Sequence, residues 1–278
     1  MTTPQTHKKI SEAEYWEKYY NAPDKTYEWN NGYLEEKAVS DVLTISIYKW
    51  FFGLLEQYLK TNPIAQSVVL EMGFRLPGNN EVRRPDIGVV LNTNPIPLYP
   101  TDRSYHGTYD MCIEVLSDST TKIMERDTVI KKGEYAKAGV KEYYILDAQR
   151  ERIQFFRLNK TRSAYKAIKP QKGDIIKSKV LPGFQFRIKD LFDKPSIEEM
   201  VDDKVYQHFV MPSYLREKLA HQAEKLAHQA EKQAHQAEKQ ARILAEQRAK
   251  QLAEQLRVFE MEHKRTTGTH NPAQELTK

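Results

Sequence analysis

The strand that decides the fold of this chain reads YDMCIEVL, from Tyr109 to Leu116. Successive side chains of a strand point to opposite faces, so Cys112 and Glu114 are expected on one face. A lone carboxylate inside a buried strand is costly, or becomes neutral, unless a cation or strong donors compensate. Glu114 therefore needs a partner. The partner is either an arginine such as Arg84 or Arg126, in a structural ion pair, or part of a functional site.

Further charged residues flank this strand. Upstream, the run RPDIGVVL (84–91) predicts a second apolar strand that contains Asp86 near its start. Downstream, a predicted helix places Asp127, Lys131 and Tyr135 at intervals of four residues, and therefore on one helix face. Taken singly, these residues have ordinary interpretations: Pro-Asp is a common turn dipeptide, and a helical lysine is usually solvated or paired with an acid one turn away. Together, two acids on neighbouring strands and a nearby lysine could hold a divalent cation and a phosphate.

The rest of the first 200 residues alternates between helix and strand signals. A β-hairpin is predicted over 27–35, because Asn-Gly suits a tight turn, and a long amphipathic helix over 41–60. A strand is predicted over 67–76, and a helix from N-cap candidates at 117–121 to about residue 138. This order predicts a mixed α/β domain over about 10–200.

The C-terminal part has a different pattern. The heptad AHQAEKL starts at Ala220 and recurs twice, with glutamine replacing leucine at its last place. A strict seven-residue period predicts a long helical extension over 213–260 that is capable of forming a coiled coil, followed by a disordered tail over 261–278. Because Gln233 and Gln240 interrupt the leucine seam, any homo-oligomer formed through it should be weak, and a solvated single helix is equally consistent. Duplication of one heptad explains the repeated histidines more simply than a metal site does: His221, His228 and His235.

Composition excludes several classes of protein. The single cysteine excludes an internal disulfide and a multi-cysteine zinc site. No apolar run reaches the roughly 18 residues of a membrane span, and no signal-peptide pattern is present, so a soluble cytoplasmic protein is expected. Acidic and basic residues nearly balance as far as Pro212, so net charge gives no argument for nucleic-acid binding.

The spacing of Pro85-Asp86 and Glu114 resembles the PD-(D/E)XK nuclease superfamily. The wider sequence resembles one branch of it, the Uma-two-type family of restriction-endonuclease-like proteins, over about residues 10–192. The matching segments are YEWNNGYL (27–34), RPD (84–86), IEVLSDST (113–120), Asp127 with Lys131 and Tyr135, and AGVKEYYILD (138–147). The helical extension lies outside the resemblance.

The resemblance implies a restriction-endonuclease-like core, a mixed central sheet flanked by helices. It implies a Mg²⁺ site, which Mn²⁺ should also fill, at Asp86 and Glu114. It also implies that Lys131, from the following helix, is the catalytic base-side group, because Leu116 occupies the place where the superfamily motif has lysine. The residues expected to assist are Glu28, Asp127 and Tyr135.

The function expected from this resemblance is that of a metal-dependent endonuclease that hydrolyses phosphodiester bonds, with DNA as the first choice over RNA. The alternative is a catalytically inactive nucleic-acid-binding or partner-binding module on the same fold. A third interpretation makes the helical extension the functional part, as an assembly device.

Overall fold

The computed structural model describes residues 9–116, 124–159, 161 and 164–267, which divide into a compact unit ending at Leu215 and a second unit beginning at Arg216. The strands are β1 (Tyr27–Asn30), β2 (Tyr33–Glu36), β3 (Ala65–Val68), β4 (Phe74–Arg75), β5 (Glu81–Arg83), β6 (Ile87–Leu91), β7 (Met111–Leu116), β8 (Glu142–Asp147), β9 (Gln154–Leu158), β10 (Tyr165–Ala167), β11 (Ile175–Lys177) and β12 (Gln185–Arg187). The helices are α1 (Glu12–Glu14), α2 (Val42–Thr61), α3 (Lys131–Ala138), α4 (Asp190–Asp193), α5 (Ile197–Val201) and α6 (Pro212–Thr267); π-helical segments follow α1 (Tyr15–Tyr19) and precede α3 (Arg126–Ile130).

The central sheet has six strands in the order β10-β9-β8-β7-β6-β3. Strands β7 and β8 are parallel, whereas the other neighbours are antiparallel. All six residues of β7 are buried, as expected for a strand covered on both faces. This mixed sheet confirms the predicted fold class.

The two faces of β7 pack against different helices. Ile113 and Val115 share a cluster of buried residues with the apolar stripe of α2, to which Phe51 belongs. Cys112 lies in another cluster with Tyr135 of α3. The predicted alternation along the strand is therefore confirmed, and it places Glu114 on the α3 side of the sheet.

A smaller sheet carries Glu28, one of the residues expected to assist at the site. Asn31 and Gly32 adopt φ angles of 47° and 94°, which form the predicted tight turn between β1 and β2. Strand β1 also pairs with β5, and Trp29 lies opposite Val82. This pairing brings Glu28 next to the end of β5 and so towards the central sheet.

The predicted strands over 67–76 and 84–91 differ in detail from the observed ones. The first is interrupted after β3 by Leu70 and Glu71, whose φ angles are 58° and 55°. Residues 81–91 form two strands, β5 in the small sheet and β6 in the central sheet. Pro85 separates them, because proline has no N–H to donate to a strand ladder. The chain therefore changes sheets next to Asp86.

Helix α6 continues to Thr267, beyond the predicted end near residue 260, and residues 268–278 lie outside the described part. Leu219 and Leu226, on the predicted seam, are 55% and 66% exposed. Pairing through this helix stays a prediction.

Among the described helices, none is long and apolar enough to cross a bilayer. The N-cap candidates at 117–121 also lie outside the described residues.

Glu142, at the start of β8, has a structural role that can be tested separately from function. Its fully buried carboxylate accepts hydrogen bonds from Arg157 Nε (2.7 Å), Ser178 Oγ (2.7 Å), Tyr144 OH (3.0 Å) and the N–H of Lys179 (2.9 Å). Glu142→Gln turns an amide donor towards these donors. We expect the free energy of unfolding to fall by about 1–3 kcal/mol, measured by urea denaturation. An unchanged stability would contradict this role.

Candidate active site

Asp86 lies at the turn into β6 and has both carboxylate oxygens engaged. Oδ2 accepts a hydrogen bond from the backbone N–H of Val115 at 2.7 Å, which ties Asp86 to β7. Oδ1 accepts one from Lys37 Nζ at 2.9 Å. The side chain is 20% exposed, so Asp86 faces both the protein interior and solvent.

Glu114 is buried in the middle of β7, and its partners come from the helical segment that follows. Oε1 accepts hydrogen bonds from Lys131 Nζ at 3.0 Å and from Tyr135 OH at 2.9 Å. The structural alternative, an ion pair between Glu114 and either Arg84 or Arg126, is therefore wrong. The Arg84 guanidinium instead donates to the carbonyls of Tyr20 and Glu71, and that of Arg126 to the carbonyl of Glu36 and the carboxylate of Asp127.

Lys131 is fully buried, contrary to the ordinary expectation of a solvated helical lysine. Its Nζ lies 2.9 Å from Asp127 Oδ1, 3.0 Å from Glu114 Oε1 and 3.1 Å from Glu28 Oε1. The predicted pair between Asp127 and Lys131 is confirmed, and Glu28 is brought to the same amine. Three carboxylates converge on one ammonium, which is therefore a cation that all three acids share.

Glu28 connects the small sheet to this cluster. Its Oε1 accepts a hydrogen bond from the Arg84 N–H (2.8 Å) and forms an ion pair with Lys131 (3.1 Å), and its Oε2 accepts a hydrogen bond from Arg83 Nη1 (3.1 Å). Arg83 is itself fully buried and also pairs with Glu35 and with Glu134 (2.6 Å). Glu28 therefore helps to fix the position of Lys131 from the small sheet.

The pKa values of Glu114 and Glu28, two of the acids that share Lys131, are shifted in opposite directions. Burial raises the pKa of Glu114 above its ordinary value, although Lys131 and Lys37 oppose the effect. Burial also acts to raise the pKa of Glu28, but Lys131 and Arg83 outweigh it and hold that pKa below its usual range. Burial acts to lower the pKa of Lys131, yet Asp127, Glu114 and Glu28 raise it, so the amine stays protonated. Divergent pKa values in neighbouring acids are typical of active sites.

Lys37 and Glu71 belong to this site, although neither was predicted from the sequence. Lys37 follows β2, and its Nζ lies 2.7 Å from the Arg84 carbonyl, 2.9 Å from Asp86 Oδ1 and 3.3 Å from Glu71 Oε1. Glu114 Oε2 lies 4.0 Å away. The hairpin turn could have indicated that Lys37 lies near β1. No local pattern links it to Asp86, since 49 residues separate them.

The residues around the Lys37 ammonium are of the chemical types that ligate a divalent metal ion. Carboxylates and a carbonyl are the ligands that Mg²⁺ and Mn²⁺ prefer, and here they already surround a single positive charge. In the described part of the chain no three His, Cys, Asp or Glu side chains form a ready metal site. In the helical extension, the exposed histidines of the first two repeats lie near the glutamates three residues on, at 3.9 and 4.0 Å: His221 with Glu224 and His228 with Glu231.

Comparisons with known proteins agree with this architecture. The model of the Uma2 family, described as "Putative restriction endonuclease", matches residues 13–189. Among solved structures, the chain is similar to a protein of Anabaena variabilis ATCC 29413 described as a "putative nuclease belonging to DUF820". The two are 17% identical with a TM-score of 0.53, over 66% of this chain and 98% of the other. No protein with a curated description matches the sequence. This chain therefore belongs to the Uma2 family, the Uma-two-type branch of restriction-endonuclease-like nucleases.

Proposed function

We propose that this protein is a metal-dependent endonuclease that hydrolyses phosphodiester bonds in DNA. One observation carries the proposal: Asp86, Glu114 and Lys131 converge on one site, although they lie on three different segments. Lys131 contacts Glu114 directly, and Lys37 lies between Asp86 and Glu114. The family description supports nuclease activity, and DNA is the substrate of restriction endonucleases in general.

Asp86 and Glu114, with the backbone carbonyl next to Glu114, would hold Mg²⁺ or Mn²⁺. When bound, the ion supplies a Lewis acid that activates water and offsets negative charge on the phosphate. The N–H of Val115 orients Asp86. Lys131, which is fully buried, orients Glu114 and offers it a positive charge.

The assisting residues act through Lys131 and Glu114. Glu28 and Asp127 hold the Lys131 ammonium from two further sides. The Tyr135 hydroxyl donates a hydrogen bond to the same Glu114 oxygen that Lys131 contacts. Lys131 is enclosed by carboxylates. We therefore assign it the role of a cation that orients the groups acting as the base in the reaction.

An inactive binding module on the same fold is the second candidate. Two observations favour it: Leu116 replaces the lysine of the superfamily motif, and Lys131 is fully buried. On this view the buried ion pairs would stabilise the fold and the surface would bind nucleic acid or a partner without cleaving it.

Cleavage assays separate the two candidates. Purified protein is incubated with supercoiled plasmid, linear duplex, single-stranded DNA and RNA, each with Mg²⁺, Mn²⁺ or EDTA. We expect nicking of DNA with either metal ion and none in EDTA. Binding to DNA without cleavage of any substrate would establish the inactive module instead.

A further inference from the structure

The ammonium of Lys37 is surrounded by oxygen atoms from four residues. Three lie within 3.3 Å of Nζ, from Arg84, Asp86 and Glu71, and Glu114 Oε2 is 4.0 Å away. A carbonyl and three carboxylates around a cation form the type of ligand set that a hard divalent ion takes. Lys37 therefore lies where the proposed metal ion would bind.

This arrangement is held in place by backbone on both sides. The N–H of Lys37 donates to the Thr26 carbonyl at 2.9 Å, at the end of the hairpin. Leu70 and Glu71 both have left-handed backbone, which is unfavourable for residues with a side chain and persists only where the surroundings impose it. Arg84 Nε donates to the Glu71 carbonyl at 2.8 Å and so supports this conformation, which directs the Glu71 carboxylate at Lys37.

Lys37 differs from Lys131 in its access to solvent. Both amines have three carboxylates near them, but the side chain of Lys131 is completely buried, whereas that of Lys37 is 8% exposed. Its partners Asp86 and Glu71 are 20% and 31% exposed. Lys37, unlike Lys131, therefore lies at a position with access to solvent.

We propose that Lys37 is a built-in counter-cation that occupies the metal position and is displaced when a divalent ion binds. This inference rests on the proposed metal site at Asp86 and Glu114. The displaced amine stays attached at the end of β2, beside the site. Since the ion must break the contacts of Lys37, this residue lowers the metal affinity of the free protein and keeps the acids paired in the absence of metal.

Metal binding without nucleic acid tests the proposal. Full-length protein is titrated with MnCl₂ in a calorimeter, and Lys37→Met is compared with wild type. We expect Lys37→Met to bind Mn²⁺ about tenfold more tightly or better, a gain of about 1.4 kcal/mol. Lys25→Met is the matched control, because Lys25 pairs with Glu36 at 2.8 Å in the same hairpin region but is exposed. Its affinity should equal that of wild type.

A double variant shows which residues hold the ion. Adding Asp86→Asn to Lys37→Met should abolish the tight Mn²⁺ binding. If wild type binds Mn²⁺ through Asp86 and Lys37→Met binds equally or more weakly, the counter-cation role is wrong while the metal site stands. If none of the proteins binds Mn²⁺, both proposals are wrong.

Folding of Lys37→Met is followed in parallel by circular dichroism. The variant should melt at a lower temperature than wild type without metal and regain stability when Mn²⁺ is added, because the ion replaces the lost positive charge. Lys37→Arg, which keeps the charge, should melt near wild type in both conditions. A Lys37→Met protein that stays unfolded with Mn²⁺ would also contradict the proposal.

Discussion

Asp86→Asn and Glu114→Gln are each expected to lower the rate of Mg²⁺-dependent nicking by about 10³-fold or more, a scale that loss of one electrostatic group in an active site can reach. Each replaces a carboxylate by an amide of the same shape, which is a poor ligand for Mg²⁺. The amide oxygen introduced by Asp86→Asn can still accept the hydrogen bond from the N–H of Val115, so the strand contact should survive. The measurement is the initial rate of plasmid nicking at saturating Mg²⁺.

The stability of Glu114→Gln distinguishes a catalytic role from a structural one. Burial already raises the pKa of Glu114, so a neutral side chain should cost the fold little and can even stabilise it. Lys131 keeps Asp127 and Glu28 as partners in this variant. A clear loss of stability together with the loss of activity would favour a structural ion pair instead.

Glu142→Gln is the matched control for Glu114→Gln. Glu142 is another buried acid of the central sheet, on the strand next to β7, and its partners lie outside the site. This variant should lose stability but keep the nicking rate per folded molecule. Equal losses of activity in both variants would show that the assay reports folding rather than chemistry.

Lys131→Met should have the largest effect on stability. Methionine fills a similar volume but leaves Glu28, Glu114 and Asp127 without the cation they share. Removing one partner of a buried ion pair costs about 3–5 kcal/mol, because the remaining charge is uncompensated. We expect a loss of this size in urea denaturation, together with loss of nicking. Lys137→Met, at an exposed position of α3, should change stability by no more than about 0.5 kcal/mol.

A second substitution tests whether the three acids are the cause. Adding Glu114→Gln to Lys131→Met removes one of the uncompensated charges and should restore part of the lost stability, with a coupling of about 0.5–3 kcal/mol. Additive losses in the double variant would indicate that Lys131 and Glu114 do not interact. In that case the buried cluster would not be held by charge pairing.

Local signals predicted the elements that hold the site. The Asn31-Gly32 turn, the alternation along β7 and the helix end at about residue 138, which the left-handed Gly139 forms (φ 89°), each follow from the conformational preferences of a few adjacent residues. The resemblance then named Asp86, Glu114 and Lys131 as site residues, and the structure brings these three together.

What the sequence did not predict depends on contacts between distant segments. Arg83, Lys37 and Glu71 reach the site because β1 pairs with β5 and because the chain turns sharply before β4. Such pairings are set by tertiary packing and leave no periodic pattern in the sequence. The sequence left the partner of Glu114 open between an arginine and a functional site for the same reason: any buried cation satisfies the charge, and only the three-dimensional arrangement selects Lys131 over an arginine.

The measurement that tests the central claim most directly is a crystal structure of the wild-type protein soaked in Mn²⁺, with anomalous data that locate the ion. If Asp86 and Glu114 share one metal ion, the anomalous map should show a peak within about 2.5 Å of carboxylate oxygens of both residues. Lys131 should still contact Glu114. A peak elsewhere, or none while Lys37 remains on Asp86, would contradict the shared site.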